Sequence, residues 1–356
     1  MADIDVVVIG FGLAGRVFHC PFVSAVPGLR LAGIVQRKGD EAAVAYPDTK
    51  ILRSFEEALA SEAKLIVVGT PNATHFALAK QAVAAGKHVV IDKPFAGTSE
   101  EARELIELAA SKGVIVAPFH NRRWDGDFLT LKKVIESGEI GRLVTLESHF
   151  DRFRPLPREG TWKEDSAPMN GLLFDLGPHL VDQGLALFGK PKAVTASVRS
   201  DRDVTAIEDA FDITLHFDKV LMHCRSSMVA ADPAPRYLAH GTKGSFRKMG
   251  VDPQEPALIS GAKVPRIGTP GVWLQEEPTA WGTLTVAPNP ADPGNLLKRG
   301  VKTELGDYRG FYASVRDAIN GEAPLAVSSE DGFRVIRLLE LARISSAEGR
   351  TVPVDF

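Results

Sequence analysis

Apolar runs of four to seven residues recur at regular intervals through the first third of the chain. Ile4 to Ile9, Leu29 to Val35, Lys64 to Gly69, His88 to Ile91 and Val114 to Ala117 read as five buried strands. The segments between them carry helix punctuation. Arg16 to Val26 follows the first strand as a helix despite Pro21, and Ser54-Phe55-Glu56-Glu57 is a capping box. A helix from about His75 to Ala85 closes at Gly86, and another, capped by Thr98-Ser99-Glu100-Glu101, ends at Gly113. Strand and helix alternating in this way predict a parallel, doubly wound α/β sheet to about residue 120.

Beyond that point the period changes. After a helix near Asp127 to Glu136, the segments Leu143 to Phe150, Ala193 to Val198, Phe211 to Phe217 and Val220 to Ser226 alternate apolar and polar, as half-buried antiparallel strands do. Two late helices are expected over Tyr308 to Asn320 and Glu330 to Glu348, whereas Val251 to Asn295 is rich in Pro and Gly and reads as an irregular excursion. The expected organisation is a domain over 1–120 and a second, α+β domain over 121–356 with a large, mainly antiparallel open sheet.

The first strand stops at Gly10-Phe11-Gly12-Leu13-Ala14-Gly15, a G-x-G-x-x-G run between a strand and a helix. Gly10 allows the tight turn, Gly12 lets a pyrophosphate approach the backbone and Gly15 lets the helix pack on the strand, with phosphates facing N–H groups at the helix start. The first domain is therefore expected to be a Rossmann dinucleotide-binding domain. In sheets that bind NAD, the second strand usually ends in Asp or Glu about 20 residues past the glycines. Here Gln36 stands there, followed by Arg37 and Lys38. A carboxylate repels a 2′-phosphate, whereas a guanidinium grips it at about 1.5–3 kcal/mol per charge-assisted hydrogen bond. NADP is the expected cofactor and NAD the alternative, with Asp40 and Glu41 close enough in sequence to weaken the preference.

Composition narrows the partners. In 356 residues, 42 basic and 45 acidic side chains nearly cancel, which gives no reason to expect nucleic acid or an anionic membrane. Met1-Ala2-Asp3 leads into the first strand without a signal-peptide pattern, and no apolar run approaches membrane-spanning length, so a soluble cytoplasmic protein is expected. Cys20 and Cys224 read as reduced thiols in packed positions. His120, His149, His216, His223 and His240 have no metal-ligand spacing, so no metal is expected.

Asp92-Lys93-Pro94 follows the fourth strand, at the edge where open α/β sheets place ligands. Asp175-Leu176-Gly177-Pro178-His179 opens a helix running to about Phe188, and a spacing of four sets its carboxylate and imidazole on one face. Together with the glycine turn and Thr70-Pro71-Asn72 followed by His75, these motifs resemble the glucose–fructose oxidoreductase/inositol dehydrogenase/rhizopine catabolism (Gfo/Idh/MocA) family over nearly the whole chain. The segments from Phe119 to Asp125 and Ser148 to Pro155, with the Asp175 motif, look most like its NADP-dependent scyllo-inositol dehydrogenases. Two departures stand out: Asp92 replaces the family's usual Glu, and its glycine-rich run before the Asp-x-x-x-His pair is reduced to Asn170-Gly171.

The resemblance implies hydride transfer between NADP(H) and a secondary alcohol or ketone of a cyclic polyol or sugar. It implies cofactor contacts from Thr70, Asn72, His75 and Lys93, with Lys93 also on the reacting hydroxyl, and a strained or cis Lys93–Pro94 bond. It further implies that Asp175 orients substrate, and that the chain forms a homodimer or homotetramer through the second domain's sheet. Oxidation of an alcohol needs an acid–base group near its hydroxyl, and His179 fits because an imidazole titrates near about 6.5. Asn121, Trp124, Asp151, Arg154 and Trp162 flank the expected pocket in sequence, with groups suited to a polyhydroxylated ring. The sequence is also compatible with an aldose or small dihydrodiol as substrate, and with a dinucleotide-sensing regulator without turnover.

Overall fold

The computed structural model describes residues 3–289 and 291–356. The chain divides into two compact units. The first comprises the residues up to Asn121 with Gln254–Trp273 and Asp307–Ile336, and the second comprises Arg122–Pro253, Leu274–Gly306 and Arg337–Phe356.

Six parallel strands form the sheet of the first unit: β1 (Ile4–Ile9), β2 (Leu29–Val35), β3 (Lys50–Leu52), β4 (Leu65–Val68), β5 (His88–Ile91) and β6 (Val116–Pro118). Their order is β3-β2-β1-β4-β5-β6, the Rossmann arrangement, and its direction reverses between β1 and β4. Five of the six follow the apolar runs; β3, only three residues long, is too short to show a period. Val6, Val8 and all of β4 have no exposed surface, so the centre of the sheet is covered on both faces. The Ser54 and Thr98 hydroxyls accept the N–H groups of Glu57 and Glu101, and Gly113 ends its helix in the left-handed region at φ 64°.

The helix after the glycine turn differs from the expected regular one. Ala14–His19 is a π-helical turn, closed by the Cys20 N–H bonding to the Gly15 carbonyl, and only Cys20–Ala25 is α-helical. Pro21 has no N–H to return to Val17, so the α ladder is interrupted here and the wider turn takes up the break.

A single cut near residue 120 accounts for only part of the division. The helix Arg309–Ile319 buries Phe311, Tyr312 and Val315 in the first unit, where Phe311 meets Phe119 edge to face at 4.8 Å. Arg316 donates to the Pro27 carbonyl at 2.7 Å, and the Ile267 N–H to the Ala25 carbonyl at 2.9 Å. These late segments complete the face around Cys20–Ala25, a contact no local sequence pattern announces.

Among the described residues, nine strands form the sheet of the second unit: β7 (Leu143–His149), β8 (Ala193–Arg199), β9 (Ala210–His216), β10 (Leu221–Ser227), β11 (Tyr237–Gly241), β12 (Gly244–Lys248), β13 (Gly282–Val286), β14 (Leu297–Val301) and β15 (Val352–Pro353). All neighbours run antiparallel except β7 and β10. Within the stretch expected to be irregular lie a helix, Gln254–Ile259, and β13. The helix Leu172–Phe188 lies close on this sheet: a Cβ at Gly184 would come within 2.9 Å of the Met222 sulfur.

Candidate active site

The carboxyl ends of β1, β4 and β5 gather the first unit's expected site residues. Gly10 has φ 96°, and a Cβ there would sit 2.7 Å from the Gly69 carbonyl and 3.4 Å from Thr70 Cγ2. Any side chain at Gly15 would collide with the Gly10 carbonyl, whereas a Cβ at Gly12 would meet nothing within 4 Å. The two structural glycines are thus demanded by the fold, and the middle one faces the open space that a pyrophosphate needs. Phe11 packs edge-on against Tyr46, and Leu13 and Ala14 complete the turn. This cradle fits a dinucleotide.

Downstream of β4, Asn72–Thr74 forms a single 3₁₀ turn, closed by the Thr74 hydroxyl donating to the Pro71 carbonyl at 2.7 Å. His75 is buried, with its ring nitrogens 2.8 Å from the Thr70 carbonyl and 2.9 Å from that of Pro94. It therefore pins the β4 loop to the turn that carries Lys93. The Lys93–Pro94 peptide is cis, as the resemblance implies. Burial on its own pushes the Asp92 carboxyl up, but pairing with His19 and the neighbouring Lys93 and His75 outweigh it and hold the group down to about 2.

At the end of β2, Gln36 is used internally: its side chain binds Glu41 and accepts the Ala42 N–H at 2.8 Å. Arg53, which sequence reasoning missed, donates to the Gln36 and Gly39 carbonyls at 3.1 and 2.7 Å and to Asp40 at 2.8 Å. The two carboxylates that weakened the NADP preference thus have partners within the fold, Glu41 in Gln36 and Asp40 in Arg53. Arg37 and Lys38 are exposed, and among the described residues their side chains make no hydrogen bond or ion pair.

In the second unit the helix begins at Leu172 rather than at Asp175, so Asp175 lies in its first turn, where the helix dipole favours a carboxylate. Gly171, at φ 98°, leads in, and the Leu172 N–H bonds to the Glu208 carbonyl at 2.6 Å. Asp175 accepts from Lys163 Nζ at 3.0 Å and from an Arg152 guanidinium nitrogen at 3.2 Å, two cations not singled out from the sequence. His179 lies one turn further on and is 6% exposed.

The expected substrate residues divide. Arg154 makes no side-chain hydrogen bond among the described residues, and burial together with the charges of Arg152 and Arg158 holds its guanidinium below its ordinary value. Trp162 is exposed, with Lys163 Nζ 5.8 Å above its ring. Asp151 is committed to the fold, since it accepts the Ser227 N–H at 3.2 Å and lies 3.4 Å from His149 Nδ1. Asn121 is buried, and it and Trp124 bound one 3₁₀ turn.

A glycine-cradled dinucleotide fold joined to a separate α/β unit defines an NAD(P)-dependent oxidoreductase. Two family profiles match: "Oxidoreductase family, NAD-binding Rossmann fold" over residues 4–120 and "Oxidoreductase family, C-terminal alpha/beta domain" over residues 132–354. The chain belongs to the Gfo/Idh/MocA oxidoreductase family. It is 38% identical over 349 residues to the uncharacterized oxidoreductase YdgJ of Escherichia coli, covering 98% of this chain and 97% of that one. Over 353 residues it is 35% identical to the scyllo-inositol 2-dehydrogenase (NADP(+)) IolW of Bacillus subtilis, covering 99% and 96%. An oxidoreductase from Bacillus cereus, 32% identical, superposes with a TM-score of 0.88 over 99% of both chains. No helix of the described residues is long and apolar enough to cross a membrane.

Proposed function

We propose that the chain transfers hydride between NADP(H) and a secondary alcohol or ketone of a cyclic polyol or sugar, with scyllo-inositol-like rings as the first candidates. The observation that carries this reading is the placement of Lys93 at the carboxyl end of β5, on the same end of the sheet as the glycine cradle and one strand from the point where strand order reverses. The glycine cradle would hold the cofactor, which would supply the hydride acceptor or donor. Lys93 donates a hydrogen bond to the reacting oxygen, His179 takes or gives its proton, and Asp175, held by Arg152 and Lys163, binds a neighbouring hydroxyl. Arg154, Trp162, Asn121 and Trp124 are the proposed ring contacts. Asp151 is left out because the fold uses its carboxylate. The similarity to IolW, whose name states an inositol substrate and NADP, supports the reading.

A panel of inositols, aldoses and their keto forms, followed by nicotinamide absorbance, tests it. Turnover is expected with a cyclic polyol or its ketone, and none with any panel member would overturn the proposal. Coenzyme choice is tested separately. Arg37→Ala is expected to lower kcat/KM for NADP by about 10–100-fold, the equivalent of one charge-assisted hydrogen bond, and to leave that for NAD nearly unchanged. Equal losses with both coenzymes would mean that Arg37 does not face a 2′-phosphate. We further propose a homodimer or homotetramer in the cytoplasm.

A further inference from the structure

His19 has no exposed surface, yet it carries two polar ring atoms into a neighbourhood formed by Phe119, Tyr312 and Gly69. Its Nδ1 is 2.8 Å from the Tyr312 hydroxyl, which is equally buried. Its Nε2 has no hydrogen-bond partner among the described residues and points at Asp92 Oδ2 from 3.8 Å, close enough for charge attraction but too far for a hydrogen bond. The other carboxylate oxygen, Oδ1, accepts the Lys93 N–H at 2.7 Å. Tyr312, His19, Asp92 and the Lys93 backbone thus form one line through the first unit. Two local features bring His19 into it. The π-helical turn Ala14–His19 sets its side chain inward, and Gly69 leaves room for the ring, since a Cβ there would come within 2.9 Å of His19 Cδ2.

We propose that His19, held by Tyr312, is a positioning residue for Lys93: it fixes the Asp92 carboxylate, which in turn fixes the backbone from which the Lys93 side chain leaves. A purely structural account would favour an apolar side chain at this place, because a buried ring nitrogen whose counterpart is a carboxylate beyond hydrogen-bond distance is costly. A polar group retained here, aimed at the carboxylate that holds a reactive lysine, is explained by what it does to that lysine. A misplacement of about 1 Å in a reacting group can lower turnover by about 10²-fold even when its cause lies away from the chemistry.

The inference rests on Lys93 acting at the reacting oxygen, so Lys93→Met is measured beside the His19 variants. With NADPH and the best keto substrate of the panel, His19→Ala is expected to lower kcat by about 10–100-fold, in the range set by such a misplacement, while the Kd for NADPH stays within about threefold. The primary isotope effect with deuterated NADPH should rise as hydride transfer becomes slower than the other steps. His19→Gln, which can place an amide N–H near the position of Nε2, should recover most of the loss. Tyr312→Phe removes only a hydroxyl and should show a smaller decrease of the same kind, which keeps the test sound if His19→Ala does not fold. An unchanged kcat in folded His19→Ala or in Tyr312→Phe overturns the inference, as does a loss accompanied by equally weakened NADPH binding and an unaltered isotope effect. If Lys93→Met itself keeps wild-type kcat, the assigned role of Lys93 falls and the inference falls with it. If Lys93→Met is impaired and His19→Ala is not, only the inference falls.

Discussion

Alanine in place of His179 is expected to lower kcat by about 10²–10⁴-fold, the range for losing a general acid–base group, while leaving cofactor affinity intact. The hydroxyl proton of an alcohol is far too weakly acidic to leave unaided near neutral pH, so oxidation needs a base in hydrogen-bond reach that is itself unprotonated at the working pH. An imidazole, titrating near about 6.5, meets that requirement. His179 is buried, one turn beyond Asp175 on the same helix. Two further observations should separate lost chemistry from lost structure. The residual alcohol oxidation by His179→Ala should climb steadily with pH, because solvent then supplies the base. The melting temperature should change little in His179→Gln, which fills most of the volume, although its turnover is as poor as that of the alanine variant. Wild-type turnover in either variant would remove His179 from the mechanism.

The second large effect is expected at Lys93. Lys93→Met keeps a long apolar stem and removes the ammonium, and kcat should fall by about 10²–10³-fold, as when one donor to a developing oxyanion is lost. Lys93→Arg should not restore it, because a planar guanidinium cannot stand in for a compact ammonium at one oxygen. The decisive measurement is the double variant. If Lys93 and His179 act on the same oxygen, their losses cannot multiply, and Lys93→Met/His179→Ala should fall little below the worse single variant. Losses that multiply in full would mean that the two side chains serve separate steps, and the proposed shared chemistry would have to be given up.

Much of the first unit is legible from local pattern because its causes are local. Central strands buried on both faces must be apolar runs, Ser54 and Thr98 can only be useful at helix starts, and Gly10 and Gly15 stand where any side chain would strike backbone. Lys50–Leu52 escapes notice because three residues carry no period. In the second unit, Tyr237–Gly241 and Gly244–Lys248 are not legible as a hairpin, because strands of five residues, bounded by Gly241 and Gly244, give too little alternation to count. The same contrast runs through the site. The glycine turn, Lys93-Pro94 and the Asp175–His179 spacing are readable as short motifs. Arg53, Arg152 and Lys163 are not, since each matters only through a partner that folding brings to it. His19 is the extreme case: the hydroxyl that holds it lies 293 residues further along the chain.

That distance has a consequence for biosynthesis. As the polypeptide leaves the ribosome, the strands of the nucleotide-binding sheet emerge before the other unit, but the tyrosine that seats His19 and the aromatic side chains that cover Phe22 and Phe119 come only after nearly all of that unit has been made. Until then the nascent sheet has an uncovered greasy flank, and the lysine turn lacks its outermost brace. The proposed bracing of the lysine turn is therefore completed only after Tyr312 has been made, and a polypeptide released at residue 120 would carry the dinucleotide fingerprint without the surface that finishes it.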